Sequence, residues 1–307
     1  MSKPLEILQK YWGYTRFRPR QEEIILSVLK GMDTLALLPT GGGKSLCYQV
    51  PALIFEGSTL VISPLIALMK DQVQALKKVE VPASAIYSGM SIDEIHYKLD
   101  QLRDQKLKIL YVSPERLSSE LFAQRLPELN ISLVAVDEAH CISQWGYDFR
   151  PDYLQIAQLR DKGVEAPFLA LTASATLQVQ EDIASQLSFN DEYRKIVKSF
   201  DRPNLIYGSV QKSNKIEEAS KIIKRVGGSG LIYMRSRKQC ELVARDLTLR
   251  NIEADYYHAG LSMKEREKRQ ANWISGRQEV MVCTTAFGMG IDKADVRFVL
   301  HLNLPEN

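Results

Sequence analysis

The feature that most limits the possible folds is a rhythm of short apolar runs. Stretches rich in Val, Ile and Leu recur at residues 34–38, 59–63, 108–112, 133–136 and 168–172, and again at 230–234, 280–283 and 297–301. They lack the strict polar alternation of a strand that faces water on one side, as expected of strands buried on both faces. The segments between them, such as 65–79 and 91–104, have helix-forming composition. Strands alternating with helices define βαβ units and parallel sheets, so the fold class is α/β.

The rhythm pauses near residue 200, where Asp201-Arg202-Pro203-Asn204 is rich in turn formers. A boundary there divides the 307 residues into 1–199 and 200–307, in line with the roughly two domains that this length suggests. The second part is short for a doubly wound domain. A content of 45% hydrophobic and 25% charged residues is that of an ordinary globular protein and argues against disorder. No basic start leads into an apolar run as in a signal peptide, and no apolar run approaches the ~20 residues that span a bilayer. Cys47, Cys141, Cys240 and Cys283 form no C-x-x-C pair, which reads as reduced thiols without a disulfide framework or zinc site. The net charge of +3 excludes little, but it is unevenly spread. Residues 201–307 hold 18 Lys and Arg against 13 Asp and Glu, while 1–200 hold 22 against 24. A basic second half suits a surface that follows phosphates; it also suits a plain solvated face.

Two motifs carry chemistry. Residues 39–45, PTGGGKS, follow one apolar run and precede a helical segment. Glycines let the backbone wrap phosphates with its N–H groups turned inward, and a helix N-terminus favours anions. Thr40, Gly41, Gly42 and Gly43 would form that cradle. Lys44 would reach the β- and γ-phosphates, and Ser45 would ligate Mg²⁺. The strict G-x-x-x-x-G-K-[ST] pattern is broken at Leu38. About ninety residues on, Asp137-Glu138-Ala139-His140 closes the run 133–136, and strand ends are where open α/β sheets place ligands. Asp137 would hold Mg²⁺ and Glu138 would orient the attacking water.

Together these motifs resemble superfamily-two helicases. Residues 40–51 (TGGGKSLCYQVP), 137–153 (DEAHCISQWGYDFRPDY) and 11–21 (YWGYTRFRPRQ) resemble the RecQ family of ATP-dependent DNA helicases in particular. The resemblance implies two tandem RecA-like lobes, the second incomplete. ATP and Mg²⁺ would be the cofactors, with ATP bound between the lobes to close them. In the 11–21 segment it implies that Gln21 hydrogen-bonds the adenine edge while Tyr14 and Arg18 pack near the base, a sensible set for a flat heterocycle. Residues 63–72 and 113–117, with Ser63, Pro64 and Arg116, resemble DNA-contacting motifs. Thr172, in TASAT, resembles the motif that couples nucleotide state to DNA. Residues 199–204 resemble the interlobe connector. In 284–296, which resembles a motif facing both ATP and DNA, Gly290 and Asp292 are the candidates for the ribose side.

By the same resemblance Gln144, Trp145, Phe149 and Arg150 belong to an aromatic-rich loop that senses single-stranded DNA. Aromatic faces stack on bases without reading sequence, and a guanidinium adds a phosphate or cation–π partner. Three positions depart from the family pattern: Tyr147 where histidine is expected, Ser174 for threonine and Ala294 for proline. The resemblance further implies 3′-to-5′ unwinding in DNA repair and recombination, on single-stranded and partly duplex DNA. It favours a monomer away from membranes, in the nucleoid of a bacterium or the nucleus of a eukaryote. The family's glutamate-glycine-arginine motif, which supplies the arginine finger, would follow Asn307. The 307 residues alone are therefore expected to bind nucleotide but hydrolyse it poorly. An RNA helicase of the same superfamily and a non-catalytic nucleic-acid-binding module are the competing readings.

Overall fold

The computed structural model describes the chain apart from residues 1, 147, 200, 202–203, 289–292 and 304–307. The chain divides into two compact units, Met1–Pro203 and Asn204–Asn307.

The first unit is built on a seven-stranded sheet. Its strands are β1 (Thr34–Leu37), β2 (Ser58–Ile62), β3 (Ala83–Ile86), β4 (Ile109–Val112), β5 (Ile131–Val136), β6 (Phe168–Thr172) and β7 (Arg194–Val197), in the spatial order β3-β4-β2-β5-β6-β1-β7. Every pairing is parallel. Successive residues of a strand point to opposite faces, and both faces are covered. Ala36, Leu38, Val61, Leu133, Ala135 and Tyr111 share one apolar layer with residues of the helices Gln21–Leu29, Leu46–Ala52 and Ile66–Lys78. Leu35, Leu37, Leu60, Ile62, Val134 and Val136 share the other with the helices Ile92–Arg103, Glu120–Arg125 and Leu177–Gln186. This two-sided burial is the reason β1, β2, β4, β5 and β6 carry almost no polar alternation.

The strand order decides where chemistry can occur. β1 and β2 are consecutive in sequence, yet β5 and β6 lie between them. Such a reversal opens a crevice at the carboxyl ends of the strands. The register pairs Leu37 of β1 with Thr172 of β6, and Ala170 of β6 with Val136 of β5. The segments that follow β1, β6 and β5 therefore emerge side by side.

The second unit holds a four-stranded parallel sheet of β8 (Ser229–Tyr233), β9 (Ala254–Tyr257), β10 (Val280–Cys283) and β11 (Val296–His301), in the order β11-β8-β10-β9. The helix Arg237–Leu249 packs Cys240, Val243, Ala244 and Leu247 into its core. On the other side Trp273, from the helix Met263–Ile274, meets Phe287 edge-on with ring centroids 5.4 Å apart. No helix among the described residues is long and apolar enough to cross a membrane.

Candidate active site

The phosphate loop runs from the end of β1 to the helix Leu46–Ala52, with Ser45 as its N-cap. Gly41 and Gly43 adopt φ values of 76° and 77°, a left-handed conformation open to glycine at little cost. Gly42 is needed for closeness instead: a Cβ there would sit 2.7 Å from the Pro39 carbonyl oxygen. The loop is braced from the N-terminal segment. The Gln21 amide Nε2 donates to the Gly43 carbonyl at 2.9 Å and to the Gly42 carbonyl at 3.4 Å, and its Oε1 accepts from the Arg18 N–H at 2.8 Å. Arg18 Nη1 donates to the Gly41 carbonyl. Gln21 is buried, and these hydrogen bonds turn its carboxamide toward the loop; Tyr14 remains 53% exposed.

Across the crevice β5 is followed directly by Asp137 and Glu138. Glu138 takes a left-handed φ of 47°, which costs a residue with a Cβ about 1–2 kcal/mol. Its carboxylate stands near two groups: Lys44 Nζ is 3.6 Å from Oε1, and His140 Nδ1 is 3.4 Å from Oε2. His140 Nδ1 is also 2.9 Å from the Thr172 hydroxyl. Lys44, Glu138, His140 and Thr172 thus form one chain of contacts across the ends of β1, β5 and β6. His140 was given no role from the sequence; as the only ring in the D-E-A-H string, between an acid and a strand-end threonine, it was the available signal.

Asp137 lies beneath this chain. Burial, and then the Glu138 charge, push its carboxyl up to about 6, against the lowering influence of Lys44 and of the Glu138 N–H. The Glu138 N–H donates to Asp137 Oδ1 at 3.0 Å, and the Tyr153 hydroxyl donates to the Asp137 carbonyl at 2.9 Å. Two adjacent carboxylates, one of them desolvated, form a site short of positive charge. A divalent cation fits it. No cluster of three His, Cys, Asp or Glu side chains is present among the described residues. Mg²⁺ does not require one, since it binds through one or two carboxylates together with phosphate oxygens and water.

The segment after Ile142 is arranged differently. Trp145 is 69% exposed, although its backbone N–H donates to Ser143 Oγ at 3.2 Å. Gln144 lies beside it at the surface, and Phe149 is half-buried. Arg150 is held in place: Nε and Nη2 donate to Asp148 Oδ2 at 3.2 and 3.0 Å, and Nη1 donates to the Pro64 carbonyl at 3.2 Å. This brings Arg150 against Ser63-Pro64, just after the end of β2. Ser63 Oγ and Arg116 Nε are buried without a hydrogen-bond partner among the described residues. Gly290 and Asp292, together with Tyr147, fall outside the described residues.

Comparison with known proteins gives the family. A model of the DEAD/DEAH box helicase family matches residues 18–183, and a model of the helicase conserved C-terminal domain matches 214–307. The chain belongs to the DEAD/DEAH box helicase family, and within it to the RecQ type. It is 43% identical over 310 residues to the ATP-dependent DNA helicase RecQ of Haemophilus influenzae, covering 100% of this chain and 50% of that protein. To the protein of the same name in Pasteurella multocida it is 44% identical over 304 residues, covering 99% and 48%. The chain thus spans about half the length of these relatives. Its fold is shared with the Mycobacterium smegmatis helicase Lhr, solved with ssDNA and AMP-PNP. That likeness has a TM-score of 0.70 at 18% identity, over 98% of this chain and 43% of that one.

Proposed function

We propose that the chain is the ATP-driven motor of a DNA helicase, its two lobes divided in sequence near residue 200, that moves 3′ to 5′ along single-stranded DNA and unwinds duplex during repair and recombination. The observation that carries this reading is the convergence of Lys44, Thr172, His140 and Glu138 at the ends of three adjacent strands. The N–H groups of residues 40–45 would cradle the phosphates and Lys44 would meet the β- and γ-phosphates. Glu138 would polarise the attacking water. Ser45 and Asp137 would hold Mg²⁺, which would neutralise charge developing on the phosphates. Gln21, Arg18 and Tyr14 would border the base, and Gly290 and Asp292 the ribose. Trp145 and Phe149 would offer faces to bases, with Gln144, Arg150, Arg116, Ser63 and Pro64 along the strand; such contacts grip without reading sequence. Names of the RecQ relatives, and the ligands of Lhr, support DNA and ATP as the partners.

ATP hydrolysis measured with single-stranded DNA, with RNA of equal length and with neither, beside a Lys44→Ala variant, tests the reading. The expected result is turnover stimulated by DNA above RNA and absent from the variant. Equal stimulation by RNA would point to an RNA motor instead. Turnover unaffected by Lys44→Ala would refute the site.

A further inference from the structure

A line of buried polar side chains leaves the phosphate loop along the helix that follows it. Tyr48 and Gln49 lie on the helix that Ser45 caps. Both are buried, as is Tyr111 on β4. The layer around the two tyrosines is otherwise made of side chains such as Ala36, Leu38, Val61, Met69 and Leu133. The Tyr48 and Gln49 backbone N–H groups donate to the Ser45 carbonyl at 3.2 and 3.0 Å. The Tyr48 hydroxyl lies 3.3 Å from that of Tyr111. Gln49 Nε2 reaches the Tyr111 hydroxyl at 3.5 Å and donates to Gln72 Oε1 at 3.0 Å. Gln72 belongs to the helix Ile66–Lys78, which begins just after Ser63-Pro64.

Apolar residues of the same size would fill this layer without desolvating any polar group. A polar chain does something an apolar filling does not. Each member has a buried donor or acceptor that loses its partner if its neighbour slips, so the groups hold one another in register. Here the two ends of the chain are Ser45, at the phosphates, and the helix that carries the 63–72 segment. We propose that Tyr48, Gln49, Tyr111 and Gln72 are positioning residues that couple nucleotide occupancy at Ser45 to the placement of residues 63–72, and so to the grip on single-stranded DNA. This rests on the function proposed above.

The test measures the affinity of a labelled oligothymidylate with and without saturating Mg·AMP-PNP, and takes the ratio. Wild-type protein is expected to show a ratio of roughly 5-fold or more in either direction, the usual lower scale of coupling between two sites. Tyr111→Phe, which deletes one hydroxyl, and Gln72→Leu, which removes the acceptor at a half-buried position, should bring the ratio to within about twofold of one. Gln72→Glu keeps an acceptor oxygen and should keep the ratio, even if its charge weakens DNA binding overall. A network that serves only stability would lower the melting temperature of the first two variants and leave their ratios at the wild-type value, and that result overturns the relay. Wild-type protein that binds both ligands with a ratio of one overturns it too, while leaving the proposed function standing. Wild-type protein that binds neither ligand brings down both.

Discussion

Residues 137–138 and 144–150 leave the same strand end and are built in opposite ways. Around Asp137 and Glu138 the polar and charged groups already meet one another: Lys44 and His140 on Glu138, Thr172 on His140. A few residues on, Trp145 leaves most of its ring in water while the backbone around it is tied down. The difference suits the two kinds of chemistry proposed for them. Stabilising charge in a reaction requires groups fixed before the ligand arrives, because their reorganisation would raise the barrier. Stacking on a base needs an open face and tolerates any sequence. One strand end can therefore serve as a rigid site and an accessible surface at once.

The largest effect should come from the rigid part. Glu138→Gln keeps the shape and removes the base, and should lower single-turnover ATP hydrolysis about 10²–10⁴-fold with Mg·ATP still bound. A loss below tenfold would mean that Glu138 is an ion-pair partner only. Next in size is the open part. Trp145→Ala should weaken single-stranded DNA binding by about 1–3 kcal/mol, read as a shift in Kd, with no change in melting temperature. A fall in melting temperature instead would show that the exposed ring belongs to the packing and would erase the contrast. A matched pair of glycines sharpens it. A Cβ would stand 2.7 Å from the Pro39 oxygen at Gly42 and 2.6 Å from the His140 oxygen at Gly146. Both alanine variants should lose of order 1–2 kcal/mol in urea unfolding, because each drives a methyl into backbone. If only Gly42→Ala does so, the two regions differ in backbone order as well as in side-chain exposure.

What the sequence revealed of the fold depended on burial. The runs at β1, β2, β4, β5 and β6 stand out because neighbours on both sides and both faces leave little place for polar residues. β3, β7 and β9 have no such pattern, and each is at an edge of its sheet. β7, with the sequence RKIV, exposes three of its four residues. Charge on an edge strand suits solvent and discourages pairing with other chains, but it hides the strand from any reading by apolar runs. The phosphate loop and the D-E-A-H string were legible because their chemistry is packed into a few consecutive residues. The contacts of His140 with Thr172, of Gln49 with Gln72 and of Tyr48 with Tyr111 were not, since each joins segments that only the strand order brings together.

The smallest expected effect bears on whether the rigid and open regions are separate. Tyr153 follows the 144–150 segment and is fully buried, yet its hydroxyl donates to the carbonyl of Asp137 at 2.9 Å. The Arg150 N–H likewise donates to the Cys141 carbonyl at 2.8 Å. The open segment is thus tied at its far end to the strand end it left. Tyr153→Phe removes one buried donor and leaves the Asp137 carbonyl without it, at a cost of about 1 kcal/mol. That corresponds to a fall of about 2–4 °C in melting temperature for a unit of this size. The informative comparison is with DNA. If the tie only holds the fold, Tyr153→Phe should lower the melting temperature and leave the DNA stimulation of ATP hydrolysis unchanged. If stimulation falls by more than the stability loss explains, occupancy of the exposed aromatic face reaches Asp137 through this hydrogen bond, and the two regions work as one device.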